Sequence, residues 1–334
     1  MWIALDAMGG DHAPGPIVAG ALQAVAADPE VTVVLVGDRA RVEPLLPADG
    51  RDRVELCHAA DTIGMHESPV EALKAKPDNS IGRCWQLMVG KKVDGIVSAG
   101  NTGAMVAGGL LSRRFLKGVR RPGIAAIMPT AKGPSVIIDV GANIHPRAVH
   151  LYQYGVMGAI HARHILGKEN PTVGLMNIGE EEGKGHELAV EAYALLKAGL
   201  KDRFVGNIEG RDIHRGKCDV VVTDGFVGNV VLKVCEGVFE FVMKMAAQEV
   251  LGALNTERDR GQRALQALVN RYDYSEHGGA PLLGIDGICI ICHGSSGDRA
   301  IKNALAVAAR YAAAGLNARI VEELEAGPKM GEDE

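Results

Sequence analysis

Residues 1–16 read MWIALDAMGGDHAPGP. Residues 2–5 form the short apolar run of a buried strand, and Asp6 ends it. The chain then leaves through Gly9, Gly10, Asp11, His12, Pro14, Gly15 and Pro16, residues of a tight polar turn rather than of a continuing strand. The same pattern of apolar run and small polar turn recurs downstream. Strands are predicted over 3–6, 31–36, 54–57, 95–98, 124–128, 135–139, 172–177, 204–208, 220–223 and 288–292. Between them lie helical stretches such as 149–166, 187–198 and 300–314, the alternation of a doubly wound α/β fold. In such sheets ligands sit outside the carboxyl ends of the strands.

Composition agrees. Aromatics are only 4% of the 334 residues while glycines number 43, which suits a Val/Ile/Leu/Ala-rich parallel sheet covered on both faces. The length predicts one domain over 1–325, built of two intimate subdomains, and a flexible tail over 326–334. Two helical arms, about 230–254 and 257–269, form a hairpin at about 230–271 inserted before the last strand. The net charge of −5 excludes a general affinity for nucleic acid. No apolar run reaches the ~18 to 20 residues of a membrane span. The N-terminus lacks the pattern of a signal peptide, so a cytoplasmic protein is expected. Cys289 and Cys292 form a CxxC inside a strand, where residues three apart face opposite ways and cannot grip one metal.

The strand ends carry the chemistry. Gly100-Asn101-Thr102-Gly103 and His293-Gly294-Ser295-Ser296-Gly297 are glycine-rich strand-to-helix turns. Such turns offer backbone N–H groups and a helix N-terminus to a phosphate or other anion. The dinucleotide fingerprint G-x-G-x-x-G is absent. Gly179 to Gly185 approaches a P-loop, but its spacing is one residue short and Gly follows Lys184 where Ser or Thr should stand. Asp6, Asp11, Asp139 and Asp224 leave Mg²⁺ ligation open beside plain turn-capping. No G-x-S-x-G accompanies Ser98, Ser295 or Ser296. If phosphate is itself the nucleophile, no activated side chain is needed.

Eight ordered segments, LDAMGGDHAP, SAGNTGA, DVGAN, NIGEEEGKGHEL, GNIEGRDI, VVTDGFVGNVVLK, GGAPLLGIDG and HGSS, closely resemble the bacterial phosphate acyltransferases of phospholipid synthesis. The resemblance covers about residues 1–320 and weakens in the Arg-rich stretch 112–121. It implies that inorganic phosphate attacks the thioester of a long-chain acyl carrier protein. The acyl phosphate formed would feed a membrane glycerol-3-phosphate acyltransferase. It further implies an α/β/α sandwich of two subdomains like the isocitrate and isopropylmalate dehydrogenases, with a cleft between them, a homodimer, and no nicotinamide cofactor.

On that basis phosphate is expected at Gly100, Asn101, Thr102 and Gly103 with His293, Gly294 and Ser295. Asp6, Gly9, Gly10, Asp11 and Asp224 wall the cleft. Lys184 would neutralise charge, and Asn143, Asn177, Asn207 and Asn229 would orient the reactants. His186 or His12 would move a proton. Arg113, Arg114, Lys117, Arg120 and Arg121 would dock the acidic carrier protein. The hairpin, with Val238, Phe241, Val242, Met245 and Leu251 beside Arg258, Arg260, Arg263 and Arg271, would cover a partner copy or lie on anionic lipid. Three rivals stand beside this reading: a dehydrogenase on the same fold, a phosphotransacetylase using acyl-CoA, and a non-catalytic lipid- or phosphate-binding regulator.

Overall fold

The protein is described here by a computed structural model covering residues 1–48, 52–254, 257–272 and 278–328. Eleven strands form one sheet: β1 (Trp2–Asp6), β2 (Thr32–Gly37), β3 (Val54–His58), β4 (Gly95–Ser98), β5 (Gly123–Met128), β6 (Ser135–Ile138), β7 (Val173–Met176), β8 (Phe204–Ile208), β9 (Val220–Val222), β10 (Ala280–Leu283) and β11 (Ile288–Ile291). Their order is β3-β2-β1-β4-β11-β10-β5-β6-β9-β7-β8. The helices are α1 (Gly15–Ala27), α2 (Arg39–Val42), α3 (Pro69–Ala75), α4 (Ser80–Val89), α5 (Thr102–Ser112), α6 (Ala148–His164), α7 (Glu187–Leu200), α8 (Gly210–Ile213), α9 (Gly225–Ala253), α10 (Arg258–Tyr272), α11 (Asp298–Ala313) and α12 (Leu316–Ala326).

Successive side chains of a strand feed two separate core layers. Ile3, Leu5, Val97 and Ile290 pack with α1, α6, α7, α11 and α12 on one face. Ala4, Ile96, Cys289 and Ile291 pack with α4 and α5, and with Leu232 and Cys235 of α9, on the other. The result is the expected three-layer α/β/α sandwich. Cys292 lies in the first layer and Cys289 in the second, so the CxxC thiols point apart.

The sheet is mixed rather than wholly parallel. Strands β3, β2, β1, β4 and β11 pair in parallel, as do β6, β9, β7 and β8. Between these blocks β10 pairs antiparallel with β11 and β5, and β5 pairs antiparallel with β6. Only six residues separate Met128 from Ser135, too few for the crossover that a parallel pair needs. Strand β10 was not expected from the sequence: it contains Pro281 and is bounded by Gly279 and Gly284, which read as turn. Helix α9 starts at Gly225 rather than after Asn229, so Asn229 lies within its second turn. The side chain of Arg271 and the tail beyond residue 328 lie outside the described residues.

Candidate active site

Strands β1, β4 and β11 are neighbours, so their terminal loops meet. Buried Asp6 accepts from the Ser98 hydroxyl at 2.7 Å and from the Met8 N–H at 3.1 Å, and Ser98 Oγ accepts from the Gly100 N–H at 3.0 Å. Burial lifts the Asp6 carboxyl above its ordinary range, against hydrogen bonds from Ser80, Ser98, Met8 and Gly9. Gly9 must be bare: a Cβ there would stand 2.5 Å from both Asp6 Oδ2 and the Gly100 nitrogen. The Asp11 N–H donates to the Gly294 carbonyl at 2.7 Å, pinning the first loop to the last. Asp11 and His12 themselves are exposed.

Asn101 is buried and its side chain is fully engaged. Its Oδ1 caps α5 by accepting from Ala104 N–H at 3.0 Å, while its Nδ2 donates to the carbonyls of Gly64, Met65 and Glu67. It fixes the N-terminus of α5, leaving exposed Thr102 beside the loop end. His293 is held by Ser295: the Ser295 N–H reaches His293 Nδ1 at 3.3 Å and its hydroxyl lies 2.7 Å away. An Nδ1 that accepts places the ring proton of the neutral imidazole on Nε2.

A second group of loops follows β6 and β9. Asp139, wholly buried, accepts from the backbone N–H groups of Ile124, Gly141, Ala142 and Asn143 at 2.7–3.0 Å. Burial raises its carboxyl pKa. Asn143 Nδ2 donates to the Pro122 carbonyl at 2.6 Å and to the Tyr154 hydroxyl at 2.7 Å, and its own carbonyl accepts from Gly225 N–H. Asp224 caps α9 by accepting from the Phe226 and Val227 N–H groups. A Cβ on Gly228 would lie 1.9 Å from the Asp139 carbonyl oxygen, so α9 can start against β6 only because that position is bare.

The two groups meet on the α5 and α9 face in a cavity of about 170 Å³ lined by Thr102, Val140, Asn229, Lys233, Glu236 and His293 among others. Lys233 pairs with Glu236 at 2.8 Å. The sequence reading missed Lys233, although it closes the segment VVTDGFVGNVVLK and stands four residues after Asn229, on the same helix face. Of the expected residues, Thr102, Asn229 and His293 line this cavity, while Asp6, Gly9, Gly10, Asp11, Gly100, Asn101, Gly103, Asn143, Asp224, Gly294 and Ser295 belong to the loops that frame it.

The loop after β7 stands apart from the cavity lining. Lys184 lies 3.9 Å from Glu181, and Asn177 Nδ2 donates to the Lys184 carbonyl at 2.9 Å. His186 caps α7, its Nδ1 accepting from Ala189 N–H. Buried Asn207 donates to the Glu181 carbonyl, and its Oδ1 has no hydrogen-bond partner among the described residues. Nor, among those residues, do three or more His, Cys, Asp or Glu side chains cluster as a metal site.

Residues 1–319 match the model of the fatty acid synthesis protein family. The chain is 45% identical over 330 residues to a phosphate acyltransferase of Geotalea uraniireducens, covering 97% of this chain and 94% of the relative. It is 46% identical to one of Desulforamulus reducens, covering 97% of each. The chain belongs to the phosphate acyltransferase family. Among solved structures, a phosphotransacetylase from Streptococcus pyogenes matches with a TM-score of 0.63 at 19% identity over 94% of each chain. The EutD phosphotransacetylase from Staphylococcus aureus matches with a TM-score of 0.59 at 17% identity, over 93% of this chain and 94% of that one. These likenesses establish a shared fold. Of the glycine-rich segments that marked this phosphate acyltransferase family member in sequence, those after β4, β9 and β11 supply Thr102, Asn229 and His293 to the cavity, while those after β7 and β8 contribute nothing to its lining.

Proposed function

We propose that this acyltransferase moves a long-chain acyl group from the thioester of an acyl carrier protein to inorganic phosphate, giving acyl phosphate and the free carrier thiol. The observation that carries the reading is the convergence of Thr102, Asn229, Lys233 and His293 on one cavity at a helix N-terminus, in a chain of this family. The α5 N-terminus and Lys233 supply positive potential for phosphate. Asn229 holds it within attack distance, which replaces a bimolecular encounter by a positioned one. The phosphate dianion, populated near neutral pH, attacks the thioester carbonyl. The carbonyl becomes an oxyanion, to which His293 Nε2–H is a suitable donor. Collapse of that intermediate breaks the C–S bond and releases the thiolate. Phosphate is the nucleophile, so no acyl-enzyme is required.

The acidic carrier protein is assigned to the end of α5. Arg113, Lys117 and Arg121 are exposed there, Lys117 pairing with Glu325 at 2.7 Å, whereas Arg114 is drawn to Asp286 at 2.5 Å. Thr102 and Ser112 are about 15 Å apart at 1.5 Å rise per residue, a span suited to a flexible prosthetic arm. The molecule is assigned a homodimeric state through the outer face of α9. Peripheral contact with the membrane, where its product would be consumed, is a further part of this reading. No helix among the described residues is long and apolar enough to cross a membrane.

The test is kinetic. Lys233→Ala is expected to raise the phosphate KM, and Asn229→Ala to lower kcat, each by about tenfold, or ~1.4 kcal/mol. Unchanged phosphate KM and kcat in both variants would contradict the placement.

A further inference from the structure

A second, larger cavity of about 540 Å³ runs along α9 beside the first. Leu232, Cys235, Glu236 and Phe239 form its helical wall; their i, i+3, i+4, i+7 spacing is one helix face. The turn after β5 faces them, and Val269 of α10 closes the space. Ile127, Leu232 and Glu236 line both cavities, so the two are contiguous. The larger one has the volume of a small-molecule site and a mostly apolar wall.

Its charge pattern narrows the occupant. Glu236 and Glu240 are among its lining residues, and among the described residues no Lys or Arg is. A phosphate, a nucleotide or a lipid headgroup is thereby disfavoured, because Glu236 is already paired with Lys233 on the side of the smaller cavity and Glu240 would repel an anion that also loses its water. An uncharged hydrocarbon fits the wall, since it releases water from apolar surface on both sides.

We infer that this cavity holds the hydrocarbon chain of the acyl donor, entering past Leu232 and Glu236 so that the thioester carbonyl remains in the smaller, polar cavity. The inference rests on the acyl-transfer reading and deepens it, naming the residues that read chain length. Cys235 lies midway along the wall, its Sγ 3.2 Å from His214 Nε2; the other ring nitrogen of His214 is 3.0 Å from the Pro129 carbonyl. The thiol is thus a reporter inside the cavity.

Two measurements on the full-length protein test it. First, carbamidomethylation of Cys235 by iodoacetamide, followed by mass spectrometry of its peptide, is expected to slow severalfold with palmitate and not with acetate. Equal labelling with both would overturn the inference. Second, Cys235→Trp fills the wall. Acyl phosphate formation from a palmitoyl carrier protein is expected to fall about tenfold while that from the butyryl form is kept. An unchanged palmitoyl-to-butyryl ratio would overturn it. The labelling arm needs no turnover, so it decides the matter even if Cys235→Trp fails to fold. An enzyme that makes no acyl phosphate from either donor would instead sink the functional reading.

Discussion

His161 illustrates how much a single residue's chemistry depends on its burial. It sits wholly buried in α6, edge-on to Tyr311 with ring centroids 5.5 Å apart, and its Nε2 is hydrogen-bonded to the Tyr311 hydroxyl. Burial, aided by Arg310, pushes its pKa down to about 3. Burial, and then Arg147, pushes that of His150 down to about 4. In the unfolded chain both titrate near 6.5. The unfolded state therefore takes up protons that the native state refuses. The stability linked to these neutral rings is complete above about pH 6.5 and is lost as pH falls toward 4. Thermal melts should show Tm dropping across that window. His161→Gln, which keeps an acceptor for Tyr311, should flatten the slope; a flat Tm in the wild type, or an unaltered slope in the variant, would contradict this assignment. Sequence alone gave no sign of this, because His161 is one of three histidines in the helical stretch and its depth is set by the packing of α6 between the sheet and α7 and α12, with Tyr311 of α11 against its ring. Gly228 is a contrasting case. It lies in the segment VVTDGFVGNVVLK, which the sequence reading quoted without singling it out, and the structure supplies the cause, a carbonyl oxygen that leaves no room for a Cβ.

Helix α9 is the element with most left unpartnered. Phe226, Val230, Val234, Val238, Phe241, Val242 and Met245 are all exposed and recur at spacings of three and four. They form one apolar stripe about 28 Å long at 1.5 Å rise per residue. A monomer rarely leaves such a stripe to water, and a two-fold pair of α9 helices would cover it self-complementarily. Light scattering after gel filtration should give the mass of two chains for the wild type and of one for Val234→Glu. A wild type that is monomeric at every concentration would contradict the pairing. The hairpin was legible in the sequence as two helical arms, with boundaries a few residues off, because Asp224 rather than Asn229 supplies the cap. Its partner was not legible, since an apolar stripe reads alike against a core, a second copy or a lipid surface. Lys233 was overlooked for a related reason. Its segment and its place four residues after Asn229 were visible, but only the packing of its turn against α5 and β11 puts it in the cavity.

At the scale of the molecule, the layers and the glycine-rich turns at the strand ends were readable because apolar runs and glycine turns alternate so regularly. The mixed sheet was not, because β10 hides Pro281 among glycines and the β5–β6 hairpin lies inside a βα pattern. Those antiparallel strands matter to function. They turn the second parallel block over, so that the loops after β6 and β9 reach the α9 start. Helix α9 then runs across the central strands to meet α5 and His293. The site is therefore a product of topology rather than of any one motif. Its function is tested most directly by incubating the purified protein with a long-chain acyl carrier protein, varied inorganic phosphate and hydroxylamine as trap. The account predicts acyl hydroxamate and free carrier thiol that both rise with phosphate to saturation. Thiol release that is indifferent to phosphate, with free fatty acid as the sole acyl product, would contradict it.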